Sequence, residues 1–83
     1  MSEPKSVSLD YFAIFREVRK KDRETISTSA GTLGELYEEL RERYHFLLPQ
    51  ASLRVAVNDE FASWDSLLSE GDRVTFIPPV AGG

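Results

Sequence analysis

Alternating apolar positions near the start of the chain predict a strand. Every second residue from Val7 to Phe15 is apolar or aromatic. A period of two is typical of a strand that packs one face on a core. The opposite face of this predicted strand would carry two further large apolar side chains, Phe12 and Ile14. Grouped with other apolar residues, they would form a docking surface.

Shorter extended segments are predicted along the rest of the chain. They are residues 24–28, residues 53–57, residues 60–63 and residues 73–77. A charged turn at residues 17–23 would lead into the first of them, and Asn58-Asp59 has the turn chemistry that separates the second from the third. The sequence therefore predicts five extended segments in all, counting the first strand.

The last predicted strand has two distinct faces. Val74 and Phe76 share one side, and Thr75 and Ile77 share the other. If Val74 and Phe76 face the core, Ile77 joins Phe12 on the open side of the sheet.

One long helix is predicted in the middle of the chain. Thr32 and Glu35 have the spacing of a capping box, which marks the start of a helix. An apolar stripe with helical spacing follows, made of Leu33, Leu36, Tyr37, Leu40 and Tyr44. A second, short helical turn is expected at residues 64–68, where Asp65 could cap it.

These elements predict an α+β fold in which a mixed sheet grasps one main helix on one face. With the helix in the connection between them, the first and last strands would run parallel at the centre of the sheet. A chain of 83 residues makes one domain. We expect a single domain over residues 1–83, with residues 78–83 as an extended tail.

Composition excludes several functions. The formal charge is −4 and no basic patch forms along a helix face, which argues against nucleic acid as a partner. Without cysteine there is no catalytic thiol, disulfide or thiolate metal site. No apolar stretch is long enough for a membrane span and the N-terminus lacks a signal-peptide core, so a cytoplasmic protein is expected. His45, the only histidine, has no acidic or nucleophilic partner at a recognisable spacing.

The C-terminal residues are predicted to form a narrow, extended tail after two prolines that end the last strand. Pro78 and Pro79 follow the last strand and prevent further sheet or helix, because proline lacks an N–H and fixes φ. Side chains then shrink through Val80 and Ala81 to Gly82-Gly83. Such a thread could enter a narrow channel in another protein, although small terminal residues are also typical of simple fraying.

Taken together, four motifs resemble the small subunit of molybdopterin synthase, the MoaD family. They are Tyr11-Phe12-Ala13-Ile14-Phe15-Arg16-Glu17, Val57-Asn58, Leu68-Ser69-Glu70-Gly71-Asp72, and the final run from Phe76 to Gly83. They occur in the right order over nearly the whole chain. The most specific are the aromatic-Ala-x-x-Arg-Glu segment and Pro-Pro-Val-x-Gly-Gly.

The resemblance implies a ubiquitin-like β-grasp protein that carries sulfur on its C-terminus. An adenylating enzyme similar to the ubiquitin-activating enzyme would use ATP to activate Gly83, and a sulfur donor would convert it to a thiocarboxylate. The large synthase subunit, in a heterotetramer, would then receive the tail for sulfur transfer to cyclic pyranopterin monophosphate. This chain would bind no cofactor or metal itself and would not be catalytic on its own.

A docking surface on the folded body would complement such a tail. Ordering the backbone of residues 78–83 costs about 1 to 2 kcal/mol per residue, and the thread buries little area in return. Phe12, Phe61 and Ile77 are the candidate apolar contacts. The resemblance implies that partners dock on this sheet face, with Arg16, which matches the motif Arg, as a polar contact at its edge. The alternative for these residues is edge packing within the monomer.

Other functions share the same ending. A sulfur carrier for thiamine synthesis or tRNA thiolation would have the same fold, and a ubiquitin-like modifier would join Gly83 to a lysine of a target. A plain binding module with an inert tail is a further alternative.

Overall fold

The structure is a computed structural model that describes residues 3–79. Within that range it contains five strands and two α-helices. In chain order they are β1 (Lys5–Asp10), α1 (Ile14–Arg19), β2 (Arg23–Thr28), α2 (Leu33–Tyr44), β3 (Arg54–Val57), β4 (Glu60–Ala62) and β5 (Arg73–Ile77). A single 3₁₀ turn, Gln50–Ser52, precedes β3. All five predicted extended segments are therefore present, and four lie close to their predicted bounds.

The strands form one mixed sheet in the order β2-β1-β5-β3-β4. The central pair, β1 and β5, is parallel with Leu9 opposite Val74, and the other neighbouring pairs are antiparallel. Helix α2 lies in the connection between the two parallel strands, as a crossover requires. This is the predicted β-grasp arrangement, and the parallel centre is confirmed.

The capping box fixes the start of α2. The Thr32 side chain accepts a hydrogen bond from Glu35 N at 3.2 Å, and a Glu35 carboxylate oxygen accepts one from Thr32 N at 3.0 Å. The predicted stripe is buried from Leu33 to Leu40, and the helix ends at Tyr44, followed by His45 as a C-cap in a left-handed conformation. His45 thus terminates a helix.

The first strand ends earlier than the alternating pattern predicts. It stops at Asp10, and Ala13, at φ 49°, turns the chain into the six-residue helix α1. The prediction of a strand to Phe15 is wrong because the positive φ of Ala13 ends the extended backbone, so Phe15 reaches the core from the first turn of α1 and not from a strand. Both are buried as predicted, whereas Ala13 is exposed.

Two predicted connections also differ. Part of the expected turn at residues 17–23 belongs to α1, and the turn itself is confined to residues 20–22. Residues 64–68 do not form a helical turn, and Asp65 caps nothing. Instead, carbonyls of Trp64 and Ser66 accept hydrogen bonds from the free N–H groups of the first turn of α2 at 2.9 and 3.1 Å. The segment therefore forms a single turn, closed by the Ser66 N–H donating to the Ser63 carbonyl at 3.0 Å, against that helix end.

Aromatic rings fill the core between the sheet and the helices. The Phe15 ring centroid lies 4.9 Å from that of Phe46, and the Tyr37 centroid lies 5.0 Å from that of Phe76. The buried apolar set is Val7, Leu9, Tyr11, Phe15, Leu33, Leu36, Tyr37, Leu40, Phe46, Leu53, Val55, Leu68, Val74 and Phe76. Neither helix in residues 3–79 has the length and apolar character needed to cross a membrane.

Candidate functional site

The tail leaves the body at the end of β5. Ile77 is half-buried, Pro78 is half-buried, and Pro79 is exposed. Val80, Ala81, Gly82 and Gly83, which the sequence predicts as the rest of the tail and its reactive end, lie outside the described residues. The extended tail therefore stays a prediction beyond Pro79.

The open face of the sheet gathers part of the predicted docking surface. Val74 and Phe76 face the helix and are buried, which puts Thr75 and Ile77 on the open face as predicted. Ile77 pairs with Arg54 of β3, and Ala56 of β3 pairs with Phe61 of β4. Directly opposed residues share a face, so Ile77, Arg54 and Phe61 all lie on the open side.

A groove of about 540 Å³ connects these residues to the root of the tail. Its lining includes Leu53, Arg54, Phe61, Ile77, Pro78 and Pro79. The Phe61 side chain is 68% exposed, and the guanidinium carbon of Arg54 lies 5.3 Å from the centre of its ring. One side of the groove is therefore formed by the Phe61 ring with the Arg54 guanidinium above it, next to Pro78, where the tail begins.

Phe12 and Arg16 lie at the same end of the sheet but outside this groove. Because β1 and β5 are parallel neighbours, the residues that follow Asp10 and Ile77 leave at one end. Phe12 is 59% exposed in the loop before α1, so its predicted place on the sheet face beside Ile77 is wrong. Arg16, in α1, forms an exposed ion pair with Asp22 at 3.6 Å.

Ion pairs cover the polar half of the open face. Arg23 contacts Asp10 at 2.6 Å, and Arg73 contacts both Asp10, at 3.4 Å, and Asp59. The pKa of Arg73 is raised, chiefly by its hydrogen bond with Asp59. Asn58 accepts from Arg73 N at 3.0 Å. These contacts tie the β3–β4 turn to β5 and so orient the short strand that carries Phe61.

A second charged cluster anchors α1 to the rest of the fold. Arg19 donates two hydrogen bonds to the Glu24 carboxylate, at 2.9 and 3.1 Å, and the Tyr11 hydroxyl donates a third. These bonds, chiefly those from Arg19, lower the pKa of Glu24 from 4.5 to about 2. Burial, followed by the bond to Glu24, raises the pKa of Tyr11 above its ordinary value. The Arg19 guanidinium also covers the Tyr44 ring, 3.7 Å from its centre.

No group of three or more His, Asp or Glu side chains in residues 3–79 could hold a metal ion.

The sequence interpretation missed Arg54 as a part of the site. Its position between the core-facing residues of β3 was the available signal, since strand alternation puts it on the open face.

Known proteins share this chain's sequence and fold. The model of the ThiS family matches residues 9–83. The molybdopterin synthase sulfur carrier subunit of Mycobacterium tuberculosis is 36% identical over 80 residues, which cover 93% of this chain and 96% of that protein. A Pyrococcus furiosus structure assigned as molybdopterin converting factor subunit 1 is 32% identical, with a TM-score of 0.74 and coverage of 92% and 99%.

A further structure contains a similar chain in an assembly. It is a protein–protein complex of subunits 1 and 2 of molybdopterin-converting factor from Helicobacter pylori. The matching chain is 26% identical, with a TM-score of 0.63, and the match covers 94% of this chain and 99% of that one.

Proposed function

The chain belongs to the ThiS family, and from that membership we propose that it is the sulfur carrier subunit of a molybdopterin synthase. One observation carries the proposal. The similarity to carrier subunits spans nearly the whole chain, and the family match continues through Gly82 to Gly83. The matched region therefore includes the folded body, the groove beside Pro78 and the predicted reactive end.

The proposed chemistry takes place on the Gly83 carboxylate. A carboxylate oxygen attacks the α-phosphorus of ATP on an adenylating enzyme, and pyrophosphate leaves. The acyl adenylate is a good electrophile, so hydrosulfide from a sulfur donor attacks its carbonyl carbon, AMP leaves, and loss of the S–H proton gives a thiocarboxylate. The thiocarboxylate sulfur then forms a C–S bond to a side-chain carbon of cyclic pyranopterin monophosphate as a C–O bond of that carbon breaks. Water hydrolyses the acyl–sulfur bond of the resulting thioester, which leaves the sulfur on the pterin and frees Gly83 as a carboxylate. Two such deliveries supply the dithiolene sulfurs.

The folded domain would bind the partner protein while the tail reacts. The large synthase subunit is the proposed partner, in a heterotetramer, and its surface would cover Phe61 and Ile77 while the tail enters its active site. Phe12 and Arg16 would extend the contact at the same end of the sheet. The apolar groove next to Pro78 supports this division, because it offers the buried area that a tail of Gly and Ala lacks.

The protein would contribute no bound cofactor to this cycle. ATP is consumed on the adenylating enzyme, and the pterin pocket and any acid or base belong to the large subunit. Because activation consumes ATP, we propose a cytoplasmic location.

Intact mass spectrometry tests the assignment. The chain is incubated with ATP, a sulfide source and an adenylating enzyme, and a mass gain equal to the replacement of one oxygen by sulfur is expected. A mass consistent with attachment to another protein would instead indicate a modifier.

Deletion of Gly83 supplies the functional test. The variant should keep the wild-type urea midpoint and its binding to the large subunit but form no molybdopterin. Molybdopterin formation at the wild-type rate would refute the carrier assignment.

A further inference from the structure

Most cations on the open face are neutralised by carboxylates of the chain itself. Arg23 pairs with Asp10, and Arg73 pairs with Asp10 and Asp59. Arg54 lies on the same face, yet within residues 3–79 no carboxylate lies within ion-pairing distance of it. Within the described part of the chain, Arg54 is therefore a positive charge with no carboxylate partner beside the apolar groove, although the net charge of the chain is −4.

Two contacts position the Arg54 guanidinium at the groove. Its backbone pairs with Ile77, the last residue of β5, and its guanidinium lies over the exposed ring of Phe61. A cation above an aromatic face is attracted by the ring, and this contact uses none of the guanidinium N–H donors. Those donors can form two parallel hydrogen bonds with a carboxylate of a partner.

We propose that Arg54 is a specificity-determining residue of the open face, which receives a carboxylate side chain of the large synthase subunit on the platform of Phe61. Pro78 and Pro79 line the same groove, so whichever subunit encloses the tail must also pass over Arg54. A partner surface with an Asp or Glu at this point would match the charge, and one with a Lys or Arg would be rejected. This inference rests on the proposed function, because it names a contact of that same complex.

Binding to the cognate large subunit tests the contact. Isothermal titration calorimetry on the full-length chain should give about tenfold weaker binding for Arg54→Gln, the scale expected for a charge pair at an interface. Arg54→Lys should recover only part of the loss, since lysine keeps the charge but not the planar fork. Arg54→Glu should bind more weakly than Arg54→Gln because it places like charges together.

Lys20→Gln is the matched control. Lys20 is also exposed, also lacks an ion pair within residues 3–79, and ends α1 outside the groove. Removal of the same charge there should change affinity less than twofold. Equal losses for Lys20→Gln and Arg54→Gln would overturn the inference, because the effect would then be one of net charge.

Two further measurements separate the remaining outcomes. The affinity loss of Arg54→Gln should persist in a chain that lacks Gly82 and Gly83; its disappearance there would overturn the inference by assigning Arg54 to the tail carboxylate. An unchanged urea midpoint for Arg54→Gln is expected, and a lowered one would point to a structural role. If the wild-type chain itself does not bind the large subunit, the proposed function fails instead.

Discussion

Replacement of Glu24 should destabilise the protein in a way that depends on pH. Its carboxylate is 13% exposed and accepts hydrogen bonds from Arg19 and Tyr11, which join α1 and the end of β1 to β2. In Glu24→Gln the shape is kept and the negative charge is lost. The Arg19 guanidinium then remains over Tyr44 without its counter-ion.

The expected loss in the free energy of unfolding follows from the shift in the pKa of Glu24. A fall in the pKa of Glu24 from 4.5 to about 2 corresponds to roughly 3 kcal/mol of stability near pH 7, at about 1.4 kcal/mol per pKa unit. Partial exposure of Arg19 allows solvent to screen the pair, so we expect about 2 kcal/mol. Because the folded pKa lies below the unfolded one, this stability is complete above about pH 5 and is lost as the pH falls from 4.5 towards 2.

Urea unfolding at pH 7 and pH 3 measures the effect. Glu24→Gln should be about 2 kcal/mol less stable than wild type at pH 7, and the difference should shrink below about 1 kcal/mol at pH 3. Glu42→Gln is the control, since Glu42 is exposed and outside any ion pair in residues 3–79. A difference that is the same at both pH values, or one no larger than that of Glu42→Gln, would refute the reasoning.

Two other substitutions test the core and the groove. Phe15→Ala should lower the free energy of unfolding by about 3 to 5 kcal/mol, because the ring is 1% exposed within the aromatic core; a loss below about 1 kcal/mol in urea titration would contradict its role. Phe61→Ala should leave the urea midpoint near that of wild type but weaken binding to the large subunit at least tenfold in calorimetry. The control is Leu67→Ala, which removes an apolar side chain that is 78% exposed elsewhere; equal effects on binding would contradict the groove assignment.

The sequence predicts the architecture well because its signals are local. The capping box at Thr32 and Glu35 and the Asn58-Asp59 turn depend on neighbouring residues alone. The segment from Tyr11 to Phe15 is wrongly predicted as strand because its apolar residues alternate, whereas the chain leaves β1 at Asp10 and enters helix α1 at Ile14. The positive φ of Ala13 that decides between them is unusual for alanine and has no signature in the sequence.

The sequence predicts only part of the site, because the remaining contacts depend on residues that are distant in the chain. Strand alternation correctly predicts that Ile77 lies on the open face, where the docking candidate Phe61 also lies, whereas Arg54 on the same face was not predicted as part of the site. Which cations remain without a partner depends on the position of Asp10 and Asp59 in three dimensions, and these reach Arg73 rather than Arg54. The roles of Gly83 and of the interface residues stay predictions for the experiments above.

The position of β5 also has a consequence for how the protein is made. This strand is the last of the five strands in chain order, yet it occupies the middle of the sheet and separates the β1–β2 pair from the β3–β4 pair. A nascent chain that lacks it has two strand pairs with no shared strand and an unfinished core, so the native fold must wait for the synthesis of β5. Premature termination before Ile77 should therefore yield products that proteases remove, and molecules that survive in the cell would already extend to the base of the tail.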